Sequence, residues 1–144
     1  MKRVGAAAVV VNARGEILLV HHTYGPCNWE LPGGGGEEGE SPVDTAIREV
    51  KEETGLLVVA RHLTGWYYEQ SEQKEGLHVV FWCESQQGAQ SVHPDGSEVS
   101  ECRYWQPDAL PRPMSDFTLL RIRDALAGAA YPLPTAIGPR QWLE

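Results

Sequence analysis

The 144-residue chain is 42% hydrophobic and carries a formal net charge of −8, which is enough apolar material for one packed domain over residues 1–144 and too little length for two. An acidic chain without a basic patch is a poor holder of a nucleic-acid backbone, since that affinity comes mainly from Lys and Arg neutralising phosphates, so no nucleic-acid polymer is expected as a partner. Cys27, Cys83 and Cys102 are odd in number and widely spaced, against a disulfide framework or a zinc knuckle. No apolar run approaches the roughly twenty residues of a membrane span, and no signal-peptide pattern follows Met1, so a cytoplasmic protein without membrane contact is expected.

In chain order, residues 4–11 are β-branched and alanine-rich, Asn12-Ala13-Arg14-Gly15 has turn composition, and residues 16–22 are again strand-like. The two runs predict a hairpin. The small Ala6, Ala7 and Ala8 would let another element, foremost the long helix that follows, approach the first strand closely. Residues 23–28 form a loop, where Cys27 lacks the His and Asp or Asn partners that would make it a nucleophile. After a glycine turn, Ser41 is placed to cap a helix, Pro42 sits at the first helical position, and Gly55 is the residue type that closes one, so the helix should run over residues 41–54. Val43, Ala46, Ile47 and Val50 form its apolar stripe, with Glu49, Glu52 and Glu53 expected nearly opposite. Between Gly33 and Leu56 stand seven acidic residues and two basic ones. Three carboxylates so close repel one another, and an all-oxygen cluster suits a hard divalent cation; a solvated acidic face is the alternative that helix spacing leaves open.

Residues 56–60 and 62–70 read as extended, with Gly65 permitting a bulge and Trp66, Tyr67 and Tyr68 alternating between faces. Residues 71–76 are turn-like, and residues 77–83 form a strand with Val80 and Trp82 on one side and Val79, Phe81 and Cys83 on the other. Tyr67, Tyr68 and Trp82 suit sheet core and also a base-stacking wall, which makes them candidate substrate-binding residues. A polar loop over residues 84–97 is long enough to move and cover a site. A strand then runs from Glu98 through Trp105, a short helical turn over residues 107–110, and a second helix over residues 115–127, capped by Ser115 and packing Leu119, Ile122 and Leu126. The tail over residues 129–144, with Pro132, Pro134 and Pro139, does not suit regular structure. Its Tyr131, Leu133 and Trp142 need cover, either from the body or from a second copy in a homodimer. The elements together suggest an α+β chain or an α/β/α sandwich.

The order Gly34, five residues, Glu40, seven residues, then Arg48-Glu49-Val50-Lys51-Glu52-Glu53-Thr54-Gly55-Leu56 resembles the complete signature of the Nudix hydrolases, with all nine constrained positions occupied. The approach Trp29-Glu30-Leu31-Pro32-Gly33-Gly34 is also similar to that family. Gly36 departs from it, standing where an apolar residue is usual. The resemblance implies an α/β/α sandwich with a mixed central sheet and Mg²⁺- or Mn²⁺-dependent hydrolysis of a diphosphate linkage in a small nucleotide. It also implies Glu49, Glu52 and Glu53 as metal ligands and catalytic residues, with the Gly33 carbonyl as a further ligand and Arg48 orienting a box glutamate. In many Nudix enzymes a glutamate outside the box assists, which makes Glu98 and Glu101 candidates. Within the family, the absence of proline between Pro42 and Pro94 speaks against ADP-ribose, and Tyr67 and Tyr68 fall too early for dinucleoside polyphosphates. A (deoxy)nucleoside triphosphate, oxidised forms included, is the favoured substrate; the alternatives are hydrolysis of ADP-ribose or dinucleoside polyphosphates, and a sensor domain that binds a nucleotide without cleaving it.

Overall fold

Side-chain alternation along two central strands decides the layering of this protein. A computed structural model describes residues 3–71, 75–86 and 91–143. Strand β1 (Arg3–Val10) sends Ala6, Ala8 and Val10 to one face and Ala7 and Val9 to the other, and β2 (Ile17–His22) divides Leu18 and Val20 from Ile17 and Leu19 in the same way. The first set packs with Ala46 and Val50 of helix α1 (Pro42–Thr54), the second with Ile122 and Ala125 of α2 (Asp116–Leu126). Strands wedged between two helices lose both faces to the core, and every residue over 17–20 is fully buried; each such aliphatic side chain contributes about 1.5–3 kcal/mol relative to exposure. The result is an α+β sandwich of the α/β/α type.

The expected hairpin of β1 and β2 is corrected. The chain does reverse at Asn12, whose N–H donates to the Glu16 carbonyl at 3.0 Å, but only the Val11–Ile17 bridge joins the two runs. Beyond it they separate into different sheets. β1 lies in the order β4-β1-β6-β5 with β4 (Gly33–Gly35), β5 (Val58–Gln70) and β6 (Glu75–Ser85); β2 lies in the order β3-β2-β7 with β3 (Trp29–Glu30) and β7 (Val99–Trp105). The β1–β6 pairing is parallel and the others are antiparallel. Turn composition reports a local reversal, whereas two strands apolar on both faces each demand neighbours on both edges.

Helix α1 has the expected ends: the Ser41 hydroxyl accepts from the Asp44 N–H at 3.1 Å, and Gly55 closes the helix at φ 75°. Strand β5 is one run of 13 residues whose register slips between Ala60 and His62 and again between Leu63 and Gly65, the bulge expected at that glycine. The ring of Tyr67 lies over Gly65, filling the space a side chain there would need. The faces of β6 follow the predicted division. Of the turn expected over 71–76, residues 72–74 lie outside the described ones, while Glu75 and Gly76 already belong to β6.

Two smaller expectations also change. Within residues 106–109 the Ala109 N–H donates to the Gln106 carbonyl at 3.0 Å, a single closed turn that does not continue as helix, and α2 buries Thr118, Arg121, Ile122 and Ala125 while Leu126 is exposed. The predicted apolar stripe missed Arg121 because its burial depends on a distant acid, Glu30. In the tail, Tyr131 exchanges both backbone hydrogen bonds with Leu63 and Leu133 packs on the core, while Trp142 is exposed. Among the described residues, no helix is long and apolar enough to cross a membrane.

Candidate active site

Arg48, near the middle of α1, is the hub of one side of the site. Its Nε and Nη2 donate to the two oxygens of Glu40 at 2.7 and 3.1 Å, Nη1 donates to Glu49 at 3.0 Å and to Glu52 at 3.1 Å, and Nη2 also reaches the Gly35 carbonyl at 3.0 Å. Only a planar five-donor fork can serve three carboxylates and a carbonyl at once. The Arg48 hydrogen bonds, followed by that of the Thr45 hydroxyl, hold the Glu40 carboxyl down at about 2. The turn before α1 is thereby tied to the middle of the helix.

Glu53 is placed differently from expectation. It is 7% exposed and faces the packed side of α1, because a step of seven from Ala46 and of three from Val50 returns to the same face. Its Oε1 accepts from the Gly33 N–H at 2.9 Å. Burial, with Glu49 alongside, pushes its carboxyl up to about 9 against the opposing pull of that N–H. Glu49 lies flat on the next residue of β4: a Cβ on Gly34 would come 2.7 Å from the Glu49 Oε1, and one on Gly33 would come 2.5 Å from the Ala6 carbonyl. Gly33 is therefore required by close approach to the backbone of β1, whereas a methyl at Gly34 would displace only the Glu49 carboxylate.

Among the described residues, no three acids, histidines or cysteines converge as a metal-holding group; Arg48 engages Glu49 and Glu52, and β4 engages Glu53. The donor set nevertheless fits a hard divalent ion. Glu49 and Glu53 are adjacent oxygen donors, burial disfavours the charged form of Glu53 first of all, and a cation beside it is what would restore that form.

On the other side of β4 lies a cavity of about 910 Å³, lined by Gly33–Gly35, Glu30, His78, Phe117 and Arg121 among others. Six elements build it, β1, β3, β4, β5, β6 and α2. Glu30 Oε1 accepts three hydrogen bonds, from the Leu31 N–H at 2.8 Å, the Thr118 hydroxyl at 2.8 Å and the Arg121 Nη2 at 2.6 Å. The guanidinium of Arg121 lies 4.1 Å above the Phe117 ring. His78 Nε2 bonds Glu69 at 2.9 Å, and its ring meets Phe117 edge-on at 5.2 Å.

The box residues Gly33, Arg48, Glu49 and Glu53 come together, with Glu52 at their solvent edge. Tyr67, Tyr68 and Trp82 do not line the large cavity. Tyr67 donates its hydroxyl to Asp124 at 2.6 Å and borders a separate cavity of about 580 Å³; Tyr68 is exposed and bonds Glu75; Trp82 stacks on His62. Glu101, on β7, is the register partner of His21 of β2 and is not among the residues lining the cavity. Glu98, together with Glu53, Glu30 and Glu49, adds to the burial that raises the Tyr24 hydroxyl. Sequence reasoning missed Glu30, His78, Phe117 and Arg121. Phe117 and Arg121 stand four apart on α2, a spacing that could have flagged them.

The NUDIX domain family model matches residues 1–124. A MutT-like protein of Streptomyces ambofaciens is 34% identical over 126 residues, covering 88% of this chain and 78% of that protein. A putative 8-oxo-dGTP diphosphatase of Bacillus subtilis (strain 168) is 35% identical over 125 residues, covering 87% and 80%. Among solved structures, a NUDIX hydrolase from Nitrosomonas europaea superposes with a TM-score of 0.79 at 26% identity, covering 92% of this chain and 94% of that one.

Proposed function

Because the chain belongs to the Nudix family and is a hydrolase of nucleoside diphosphate derivatives, we propose that its substrate is a (deoxy)nucleoside triphosphate, oxidised forms included. Nudix hydrolases generally use divalent cations, and Mg²⁺ or Mn²⁺ is the ion proposed here. The observation that carries this reading is the placement of Glu49 and Glu53 against the glycines of β4, whose other side opens into the large cavity. The 35% identity to a putative 8-oxo-dGTP diphosphatase over 80% of that protein supports the choice of a triphosphate.

Glu49, Glu52 and Glu53, with the Gly33 carbonyl, would hold the ion. When bound, it supplies neutralisation of the diphosphate oxygens and acidification of the attacking water. The chain's own residues do the rest. Arg48, anchored on Glu40 and Gly35, sets the orientation of Glu49 and Glu52. The Gly33 N–H holds Glu53 on the strand that separates helix from cavity. One water oxygen bonds to phosphorus as the bridging P–O bond breaks; the bridging oxygen leaves with that bond's electron pair on the other phosphate, the water's proton passes to it or to solvent, and two phosphate-bearing products result.

A hydrolysis screen over nucleoside triphosphates, ADP-ribose, dinucleoside polyphosphates and nucleotide sugars, with product identification, tests the reading. Cleavage of a triphosphate that stops on chelation and returns with Mg²⁺ is the expected result. Preference for another class overturns the substrate, and tight binding without cleavage favours the sensor.

A further inference from the structure

His78 is placed to read what the cavity contains. It is the register partner of Gly5, which is in turn the partner of Gly35, so it stands two strands across the sheet from the box glycines, roughly 10 Å away at ~4.8 Å per strand. The ring reaches back toward them, since a Cβ on Gly5 would lie 3.4 Å from the His78 Nδ1 and 3.5 Å from the Gly34 carbonyl oxygen. The side chain shares the α2 face of the sheet with Val80 and lines the large cavity.

Its chemistry is set by Glu69. That carboxylate faces Nε2 at 2.9 Å; with Nε2–H donating to it, Nδ1 of an uncharged ring is a lone-pair acceptor. Nδ1 has no hydrogen-bond partner among the described residues and is not sealed from solvent. Gly5 keeps the space beside it clear, since a Cβ there would sit 3.4 Å from Nδ1. The ring is held edge-on by Phe117 at 5.2 Å. An oriented, unpaired acceptor beside an aromatic ring in a cavity is a recognition element for a flat ligand bearing an N–H.

We propose that His78 is the specificity-determining residue for the base, with Glu69 as its positioning residue: Nδ1 accepts from an N–H on the five-membered ring of a purine. An unmodified purine carries an acceptor at N7, which faces lone pair to lone pair, whereas an 8-oxopurine carries N7–H. The inference rests on the reading of the cavity as the nucleotide site.

The test compares dGTP with 8-oxo-dGTP in the wild-type chain, His78→Leu, Glu69→Ala and Glu69→Gln. Turnover is followed in Mg²⁺ and equilibrium binding by calorimetry in Ca²⁺. The wild type should prefer the oxidised nucleotide by about tenfold or more in binding and in KM, and His78→Leu should bring that ratio to within about threefold. Glu69→Ala should lower it partway, while Glu69→Gln, which still accepts from Nε2, restores it. Gly5→Ala, which sets a methyl against Nδ1 without touching the ring's partners, should lower the ratio in the same direction and serves if His78→Leu fails to fold. A binding ratio that is unchanged in these variants, or binding of neither nucleotide, overturns the inference. Binding ratios that collapse as expected in a chain that turns over neither nucleotide would instead overturn the hydrolysis assigned to the site and uphold the role of His78.

Discussion

The two sides of β4 are built by different rules. On the α1 side, charge is concentrated within one 24-residue segment and tied together by a single residue, Arg48, which serves Glu40, Glu49, Glu52 and the Gly35 carbonyl. On the α2 side, isolated polar groups are fixed one at a time by other elements: Glu30 by Thr118 and Arg121, some ninety residues away, and His78 by Glu69 of the adjoining strand. The first arrangement concentrates negative charge for a cation to neutralise. The second presents single groups that can discriminate between ligands.

The largest effect should come from the point where the two sides touch. Glu53→Gln keeps an acceptor for the Gly33 N–H but removes the charge, so turnover should fall by about a hundredfold or more while the fold survives. Glu53→Ala should also destabilise, because the buried Gly33 N–H loses its partner. Chemical denaturation beside steady-state assays checks both; near wild-type turnover by the Gln variant in saturating Mg²⁺ would remove Glu53 from the chemistry and with it the contrast between the two sides.

Next in size is Arg121→Ala, which acts on the α2 side through stability. It leaves the Glu30 carboxylate half-buried without its strongest donor and strips the guanidinium from Phe117. Breaking such a pair should cost about 3 kcal/mol in urea denaturation, with the partial exposure of Glu30 keeping it at the low end of the range for buried ion pairs. A smaller effect is expected from Gly34→Ala. The new methyl group would displace the Glu49 carboxylate from β4, lowering kcat about tenfold with little change in unfolding midpoint. If instead Gly34→Ala unfolds the chain and Arg121→Ala changes only turnover, the division into a charge-holding side and a recognising side is wrong.

This division also explains what was legible in the sequence. The α1 side was readable because its residues fall in one helix and its preceding turn, where spacing converts directly into neighbourhood: Ser41, Pro42 and Gly55 marked the ends, and the box positions marked the charges. The error over Glu53 was one of angle, since a carboxylate three residues from Val50 belongs to the face of Val50. The α2 side was not readable, because Glu30 and Arg121 are 91 residues apart and only the pairing of β1 with β6 brings His78 beside Gly5. The same non-locality defeated the hairpin, as strand order depends on which faces need covering and not on the intervening turn.

The smallest expected effect isolates the Arg48 hub from the rest. Glu40 is held down at about 2, from an ordinary 4.5, first by the Arg48 hydrogen bonds. A carboxyl with a lowered folded-state value binds its proton more readily in the unfolded chain, so its stabilising contribution is present above pH 4.5 and is lost as pH falls through about 2. Glu40→Gln should therefore lower the melting temperature modestly at pH 7 and hardly at all near pH 2, flattening the acid limb of the stability curve. An equal loss at both pH values would mean that Glu40 acts through its hydrogen bonds to Thr45 and the Glu37 N–H, which a neutral amide can partly replace, and not through its charge on Arg48. In that case the turn before α1 would be held by local bonds alone, and Arg48 would be left to Glu49, Glu52 and the Gly35 carbonyl, at the edge of the proposed cation site instead of at the centre of a network that extends back to the turn.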